Sequence, residues 1–446
     1  MDNEAVEQIK IEAQSYIIQC IQSQKYEEAK EIMNEYKRLY SIDPDLIVLE
    51  AMLHYEQNKI IEAEDILKNG AQKYPLHDYI RYNLGFMKEQ LGEYHGSVFN
   101  YFISQLYTNN DQIIKDISTR LSKNLVKLDR SLKEIIDSFK EEIPKVDVII
   151  TSYNQKDYLR ETINSILDQT YPNIRIIVAD DCSNDGTEQM MDDYQDNCRV
   201  DYKRNPTNLG PGYNGCHAFY EYADGEYTLF VNHDDYLIDS SYIAKAVALL
   251  EKNKNLSMVW ANCTVLDEST GKTYLIENNL KHVIDGLEYF MFYETEGYPH
   301  IHSLFTSLFR RENAVRMKCL TERTKSLDLF LHLKLMLTGD IGFIPTNAGV
   351  YRIHKGSISY NMPSEFDYST IEELEKMKEL VKKQLNVDKE SLDTWLDIRL
   401  KTYLTWRFST LKKQGQYKII NEMMKLLKKG YPRVYNLLQE HYEEVY

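Results

Sequence analysis

Hydrophobic and polar positions follow different patterns on the two sides of Pro144. Before it, apolar residues recur at helical spacing, in units that repeat every 34 residues. The period is carried by small residues, Ala29, Ala63 and Ser97, and by large residues, Tyr26, Ile60 and Tyr94. Each unit predicts two amphipathic helices that pack closely at the small residue. We therefore expect helical repeats at about 13–44, 45–77 and 78–110, with a helical cap at 111–140.

After Pro144 the chain reads KVDVIITSYN, a short β-branched run that is typical of a buried parallel strand. A helical segment at 157–170 and a second strand, RIIVADD, follow, and the alternation continues to about residue 355. This order favours an α/β doubly wound sheet. Residues 364–446 return to helical periodicity and include a lysine-rich stretch. We predict three domains: 1–140 all-α, 141–363 α/β, and 364–446 helical.

Composition narrows the class of protein. With 446 residues the chain exceeds what one core usually supports, and its formal charge of -16 argues against a nucleic-acid binder. The six cysteines have no metal-ligand spacing, and no apolar run approaches the roughly 20 residues that span a bilayer. We expect a cytoplasmic protein with peripheral membrane contact at most. The lysine-rich helices are expected to be solvated, with oligomerisation or an anionic membrane surface as the alternatives.

Polar residues follow three of the predicted strands, where ligands of open α/β sheets bind. They are Thr151, Ser152, Tyr153 and Asn154 after the first strand, Asp180 and Asp181 after the second, and Asn232, His233, Asp234 and Asp235 after YTLFV. A diphosphate needs a divalent cation to offset its charge, and such cations prefer carboxylate oxygens. We therefore predict a nucleotide-diphosphate site in which Asp234 and Asp235 hold the cation. Tyr153 suits stacking on a base, and Asp181 suits hydrogen bonding to a base or ribose.

The order of several segments along the chain resembles that of a known protein family. VIITSYN, SILDQTYPNI, RIIVADDCSNDGT, NPTNLGPG, GEYTLFVNHDDYL and YRIHKGSIS follow one another over about 146–360, which resembles the family 2 glycosyltransferases of the GT-A fold. The 34-residue period similarly resembles tetratricopeptide (TPR) repeats. The first resemblance implies a Rossmann-like catalytic domain that binds a nucleotide sugar, usually UDP-linked, together with Mn2+ or Mg2+.

The resemblance assigns roles to single residues of this chain. Thr151, Tyr153 and Asp181 match positions that hold the nucleotide base, and Asn208, Gly210 and Pro211 match the NxGP loop near the donor. Asp234 and Asp235 fall at the DxD metal motif, whose first acid is Asn232 here, and Asn154 and Asn232 join the expected donor contacts. Arg352 and His354 match a late motif that closes over the diphosphate and adds a metal ligand. Asp328 occupies the place of the catalytic base.

Several positions depart from the family pattern. Leu327 precedes the expected base where the family usually has Glu, and GYNGCHAF lacks the Arg-Asn pair that often follows the NxGP loop. With Asn232, these departures predict an altered donor geometry. Under the resemblance, Asp328 deprotonates an acceptor hydroxyl that attacks the anomeric carbon, and the configuration inverts. A hexosyl- or N-acetylhexosaminyl-transferase is the expected enzyme.

The sequence indicates the chemical identity of the acceptor less directly than that of the donor. Repeats in front of a transferase suggest that the acceptor is Ser or Thr of a protein, such as a bacterial surface or flagellar protein. The TPR-like domain would then bind that protein or another subunit, and a homo-oligomer is a further expectation. Synthesis of a cell-surface polysaccharide or wall polymer is the alternative. His300, His302 and Trp260 are candidates to line the acceptor pocket, although packing alone explains such residues equally well.

Two other classes of protein compete with this interpretation. The repeats would act alone if the transferase domain were an inactive scaffold, which Asn232 and Leu327 favour slightly. A nucleotidyltransferase would need a basic, Gly-rich loop after the first strand, and TSYNQKDY lacks one. Each key residue also has a structural alternative: Asp328 as a helix N-cap, His354 as a loop histidine, and Tyr153 as packing at a strand end.

Overall fold

The computed structural model describes residues 3–40, 43–321, 327–356, 363–385 and 387–442. The chain forms two compact units, Met1–Lys145 with Thr170–Asn173, and Val146–Gln169 with Ile174–Tyr446. The second unit keeps the C-terminal helices together with the sheet. The domain boundaries predicted at 140 and 363 stay predictions. No helix within the described ranges is long and apolar enough to cross a membrane.

The first unit is built from helices. They are α1 (Asn3–Gln22), α2 (Tyr26–Leu39), α3 (Asp45–Glu56), α4 (Ile60–Lys73), α5 (Asp78–Gln90), α6 (Tyr94–Tyr107), α7 (Asp111–Leu125) and α8 (Leu132–Phe139). The turns inside the first three helix pairs contain Gln24, Asn58 and Gly92, whose φ angles are 57°, 60° and 81°. These left-handed residues are 34 positions apart, so the backbone repeats with the period of the sequence.

The small residues of the repeat lie where helices meet. Ala29, Ala63 and Ser97 are fully buried. At Gly85 a side chain would come within 2.9 Å of the Tyr101 ring, so glycine permits the close approach of α5 and α6. The repeat-like helical organisation is therefore confirmed, while the assignment to TPR repeats stays a prediction. Helix α1 begins well before the predicted start of the first repeat at 13, because the preceding residues include the good helix formers Glu4, Ala5, Glu7 and Gln8.

The second unit contains one mixed sheet. Its strands are β1 (Val146–Ser152), β2 (Ile174–Asp180), β3 (Val200–Arg204), β4 (Tyr227–Asn232), β5 (Tyr236–Leu237), β6 (Leu256–Asp267), β7 (Lys272–Ile276), β8 (Val283–Ile284), β9 (Leu308–Arg310) and β10 (Asp340–Ile353). The order is β3-β2-β1-β4-β9-β6-β10-β5, with β7 beside β6 and β8 beside β10. Strands β1 to β4 pair in parallel, and β9 runs antiparallel to both β4 and β6.

Helices cover the sheet. They are α9 (Lys156–Leu167), α10 (Thr187–Met191), α11 (Pro211–His217), α12 (Tyr242–Lys252), α13 (Gly286–Phe292), α14 (Arg311–Arg316) and α15 (Leu327–Met336). Four more follow the last strand: α16 (Ser364–Gln384), α17 (Lys389–Lys413), α18 (Tyr417–Gly430) and α19 (Pro432–Tyr442).

The C-terminal helices share a hydrophobic core with the sheet. Trp395 of α17 stacks on Phe290 of α13 at 4.6 Å between ring centroids, and its indole N–H donates to the Phe290 carbonyl at 2.9 Å. The Arg407 guanidinium donates to the buried Asp367 carboxylate at 2.8 Å, which ties α17 to α16. The C-terminal helices are therefore an integral part of the second unit.

Candidate functional site

The parallel register brings the polar strand ends together. In the ladder, Ser152 of β1 lies opposite Asp180 of β2, and Thr151 lies opposite Asn232 of β4. The Asp181 N–H donates to the Ser152 carbonyl at 2.9 Å, which extends the pairing beyond the strand. The polar residues that the sequence placed after three separate strands therefore meet at one edge of the sheet.

Asp181 organises the loop that precedes α11. It is buried, with 2% exposure, and its carboxylate accepts hydrogen bonds from the N–H groups of Leu209 and Gly210, both at 2.8 Å, and from the Asn205 side chain at 3.0 Å. A carboxylate has about four acceptor positions, so one remains beyond these three. Contact of Asp181 with a base stays a prediction, and its observed partners make it the anchor of the 205–210 loop.

Gly210 and Asn208 shape the end of this loop. Gly210 has a φ of 85° and lies directly before Pro211, the first residue of α11. The Asn208 side-chain oxygen accepts from the Gly210 N–H at 3.1 Å. A side chain on Gly210 would meet nothing within 4 Å, so glycine serves the left-handed backbone here and not a close contact. The two residues set the backbone of the loop, and their donor contacts stay predictions.

The loop after β2 is anchored to the loop after β1. Asn154 has a φ of 52°, its N–H donates to the Ser183 hydroxyl at 2.9 Å, and its side-chain oxygen accepts from the Asn184 N–H at 2.8 Å. Asp180 is fully buried and accepts from the Ser183 N–H at 3.0 Å. Beside these tied residues Tyr153 is 43% exposed, so its ring face is open for stacking.

The two acids after β4 have different surroundings. The Asp234 carboxylate lies 3.0 Å from Nε2 of His354, and the side chains are 14% and 9% exposed. Asp235 is completely buried; its carboxylate accepts from the Arg352 N–H at 3.1 Å and contacts the Ser303 hydroxyl at 3.3 Å. Burial, together with the Asp234 charge, raises the pKa of the Asp235 carboxyl well above its usual range. Asp234 therefore points toward the site, and Asp235 supports the end of β10.

Arg352 is held by several partners. Its guanidinium donates to Glu161 at 2.7 Å, to Glu268 at 3.1 Å and to the Asp234 carbonyl at 2.9 Å. The guanidinium carbon also lies over the rings of Tyr158 and Tyr236, at 4.5 and 5.0 Å from their centroids. These contacts fix the strand end that presents His354. A contact of Arg352 with a diphosphate stays a prediction.

The acids and the histidine at this edge of the sheet are candidate ligands of a divalent cation. Within the described ranges no group of three or more His, Cys, Asp or Glu side chains is arranged to hold a metal ion. Asp234 and His354 are adjacent, however, and cations at diphosphate sites commonly take only one or two protein ligands besides phosphate oxygens and water. The His354 Nδ1 accepts from the Gly356 N–H at 3.0 Å, so Nε2 carries the ring proton in this arrangement. Asp234 fits a cation directly, and His354 fits through Nε2 in the other tautomer, which carries the ring proton on Nδ1.

Asp328 lies in the first turn of α15 and is exposed. Its side chain accepts from the Leu329 N–H at 2.9 Å. A methyl group placed on Gly215 would be 3.6 Å from both Leu327 and Thr151, so α15 begins beside the end of β1. Helix α15 thus begins close to the site, and the Asp328 carboxylate in its first turn is exposed, as a base requires. The alternative role at the helix start remains open, because the preceding residues lie outside the described ranges.

A polar cluster lies on the α15 side of the site. Glu294 links the His300 ring at 2.8 Å to Arg399 of α17 at 2.7 Å. The rings of His300 and His302 meet edge to face at 4.8 Å. Burial, and then the nearby His300, lower the pKa of His302 to about 4. Tyr293, whose hydroxyl lies 3.1 Å from Nδ1 of His300, is fully buried, and burial, followed by Glu294, Tyr289 and Asp328, raises the pKa of that phenol well above its usual range.

The two histidines lie in this polar cluster, whereas Trp260 is a core residue. It is 1% exposed and packs on Phe343 at 4.8 Å. Sequence reasoning missed Arg399 and several residues around Arg352 and Asp181, namely Tyr158, Glu161, Tyr236 and Glu268 beside Arg352 and Asn205 beside Asp181. Only Tyr158 and Glu161 carried a signal, because their spacing places them on one face of the predicted helix at 157–170.

Comparisons with known proteins agree with this geometry. Residues 147–314 match the family model described as glycosyl transferase family 2. An uncharacterized glycosyltransferase of Rickettsia typhi is 32% identical over 166 residues, 36% of this chain and 48% of that protein. The poly(ribitol-phosphate) beta-N-acetylglucosaminyltransferase TarS of Staphylococcus aureus is 32% identical over 111 residues, 24% of this chain and 19% of that protein. The chain thus spans less than half the length of either relative.

A solved structure supports the fold. The crystal structure of S. aureus TarS 1-349 in complex with UDP-GlcNAc has a TM-score of 0.51 and 19% identity, covering 65% of this chain and 82% of that one. Asp328, Arg352 and His354 lie beyond the segment that the family model matches. Residues 147–314 therefore form a segment that matches glycosyl transferase family 2, within a unit whose fold is similar to that of the TarS structure, and a helical repeat-like region precedes this segment in the sequence.

Proposed function

We propose that this chain is an inverting glycosyltransferase that moves a sugar from a nucleotide-diphosphate donor, UDP-linked, to an acceptor hydroxyl. The observation that carries the proposal is the edge where β1, β2 and β4 end together beside the Asp234–His354 pair, at 3.0 Å. Parallel strand ends of this kind bind nucleotides, and a carboxylate there suits the charge of a diphosphate through a cation.

Each residue then has one task. Tyr153 stacks on the base, with Thr151 and Asp181 beside it, and the 205–210 loop with Asn208 and Gly210 borders the donor. Asp234 and His354 hold the divalent cation, which offsets the charge of the departing diphosphate. Asp235 and Arg352 keep the end of β10 in place, and Asn232 lies between Thr151 and Asp235, at 3.4 and 3.5 Å.

Asp328 acts as the general base. It takes the proton of the acceptor hydroxyl as the oxygen attacks the anomeric carbon, and the bond from that carbon to the diphosphate breaks on the opposite face. One displacement inverts the configuration. The exposed carboxylate at the start of α15 suits proton transfer, which typically contributes about 10²–10⁴ to a rate. The sugar is expected to be a hexose or an N-acetylhexosamine.

For the acceptor we favour the hydroxyl of a cell-surface polymer. The name of the TarS relative states that it glycosylates poly(ribitol-phosphate). Its aligned segment is 32% identical to this chain. Transfer to Ser or Thr of a protein remains the competing hypothesis, which the repeat-like unit favours. Incubating the enzyme with a radiolabelled UDP-sugar and either a ribitol-phosphate polymer or a lysate protein fraction separates the two. Label in protein alone would overturn the polymer acceptor.

Titration calorimetry tests the donor site. We would titrate UDP with and without Mn2+ into the wild type, Asp234→Asn and the matched control Asp196→Asn, an exposed acid of the same unit. The expected result is metal-dependent binding in the wild type and control, weakened more than about tenfold in Asp234→Asn because one cation ligand is lost. If no nucleoside diphosphate binds to the wild type, the inactive-scaffold interpretation replaces this proposal.

A further inference from the structure

One segment near the C-terminus is strongly basic, between Asp397 before it and Glu440 after it. Residues 398–439 contain ten lysines and arginines and one acid, Glu422, in a chain whose net charge is -16. Two of these cations are buried and paired inside the fold, Arg399 with Glu294 and Arg407 with Asp367. Arg433 also pairs with Asp397 at 3.7 Å, and five exposed lysines of the segment, Lys413, Lys418, Lys425, Lys428 and Lys429, leave a positive surface that is complementary to an anionic partner.

Helix α18 collects this charge on one side. Lys418, Lys425, Lys428 and Lys429 are exposed, and at 3.6 residues per turn they fall within about 100° of the helix circumference. The opposite side packs into the core through Ile420, Met423 and Leu427, all at most 6% exposed. Exposed Lys413, at the end of α17, precedes the turn that leads into α18. We call these five lysines the basic face.

The lysines of the basic face outnumber the acids beside them, which are Glu422 on the same side of α18 and Glu372 and Glu375, which line a cavity together with Lys429. Among the described residues, Lys413, Lys418, Lys425 and Lys429 form no ion pair with a carboxylate, and Lys428 lies over the Tyr435 ring at 5.7 Å. Lysines of α16 differ: Lys376 pairs with Glu372 and Glu373, and Lys382 pairs with Glu379. Unpaired lysines on a single amphipathic helix are typical of a surface that binds anions outside the protein.

Exposed aromatic residues accompany the basic face. Tyr417, at the start of α18, is 48% exposed and lies on the same side of the helix as Lys428. Trp406 is also 48% exposed and lies two turns before Lys413 on α17. A soluble polyanion needs only the charge, whereas Trp and Tyr beside lysines suit the boundary between lipid headgroups and acyl chains.

We propose that the basic face docks the protein onto a bilayer that contains anionic lipids. Each lysine near such a surface adds attraction that falls off within about 10 Å at 0.1 M salt. The contact is peripheral, and it is independent of the donor chemistry proposed above. It would hold the transferase beside a membrane-borne substrate.

Flotation with vesicles tests the proposal on the full chain. Vesicles of phosphatidylcholine alone are compared with vesicles that also contain phosphatidylglycerol, at low and at high salt. The test variant is K418Q/K425Q/K428Q/K429Q. The matched control is K376Q/K382Q/K383Q/K389Q, which removes the same charge from exposed lysines elsewhere in the C-terminal helices. Gln retains helix propensity, and far-UV circular dichroism checks that both variants fold.

The expected result is binding to the anionic vesicles alone, lost at high salt, and weakened about a hundredfold or more in the test variant but much less in the control. Three results would overturn the proposal: no binding of the wild type to anionic vesicles, equal losses in the two variants, or capture by soluble polyphosphate without capture by vesicles. Donor binding by UDP is measured in parallel, so failure of the membrane contact is distinguished from failure of the enzyme.

Discussion

The strand ends of β2 and β4 each carry two adjacent acids, and the fold treats the two pairs differently. At the end of β2, Asp180 and Asp181 are both buried, and protein donors occupy both carboxylates. At the end of β4, Asp235 is buried in the same manner, whereas the Asp234 side chain is 14% exposed and, among the described residues, has the His354 ring as its hydrogen-bond partner. The two acids at the end of β2 therefore hold loops in place. At the end of β4, Asp235 has such a structural role, and Asp234 is available for chemistry.

The number of protein donors on a carboxylate indicates whether that acid is available for a reaction. A carboxylate whose lone pairs are filled by backbone N–H groups has little capacity left for a ligand, although it fixes the loop that a ligand meets. A carboxylate with one side-chain partner keeps that capacity. On α15 the same contrast separates exposed Asp328 from His332, which lies one turn later and is 1% exposed.

The largest effect is expected at Asp328. Asp328→Asn removes the base but keeps the shape, so kcat should fall by about 10²–10⁴ while the Kd for UDP stays within a factor of two or so. Initial rates and calorimetry measure the two quantities, with Asp196→Asn as the control. A variant with nearly full kcat would assign Asp328 to the start of the helix and not to catalysis.

The next effect separates Asp181 from Asp234. Asp181→Ala leaves one buried and two partly buried hydrogen-bond donors without their acceptor, so the free energy of unfolding should fall by about 2 kcal/mol or more. Asp234→Ala removes one contact at a partly exposed position and should cost about 1 kcal/mol. Urea unfolding of both variants measures the difference. Equal losses of stability in the two variants would contradict the distinction between acids that hold loops and acids that are available for a reaction.

His332 predicts a pH dependence. Burial lowers its pKa from 6.5 to about 3, so the unfolded chain takes up a proton first as the pH falls. Stability from the neutral ring is present above about pH 6.5 and is lost as the pH falls toward 3, by about 2 kcal/mol at pH 5. The advantage of the wild type over His332→Asn should shrink accordingly between pH 7.5 and 5 in urea unfolding. A constant difference would contradict a buried neutral histidine.

The smallest effect is expected at Asp235. Its raised pKa makes the carboxyl resemble an amide in hydrogen bonding, and Asn keeps an acceptor for the Arg352 N–H. Asp235→Asn should cost about 1 kcal/mol of stability and leave UDP affinity within about threefold, whereas Asp234→Asn loses that affinity. Differential scanning calorimetry and UDP titration measure this. Loss of metal-dependent binding in Asp235→Asn would restore Asp235 as a ligand.

The sequence by itself determined the periodicities and the polar strand ends. The 34-residue period predicted the helix pairs, because a helix needs its small residue wherever a neighbour approaches, and the turns at Gln24, Asn58 and Gly92 repeat with it. Alternation of strands and helices predicted the parallel part of the sheet. These features are local, so a single sequence records them.

Only the tertiary structure decided which acids have a structural role and which are available for a reaction. Asp234 meets His354 across 120 residues, and Arg352 meets Glu161 across 191. Adjacent acids in sequence, Asp234 and Asp235, point into different surroundings because consecutive side chains after a strand diverge. Burial and hydrogen-bond partners of a carboxylate depend on such distant contacts, and no local pattern of residues specifies them.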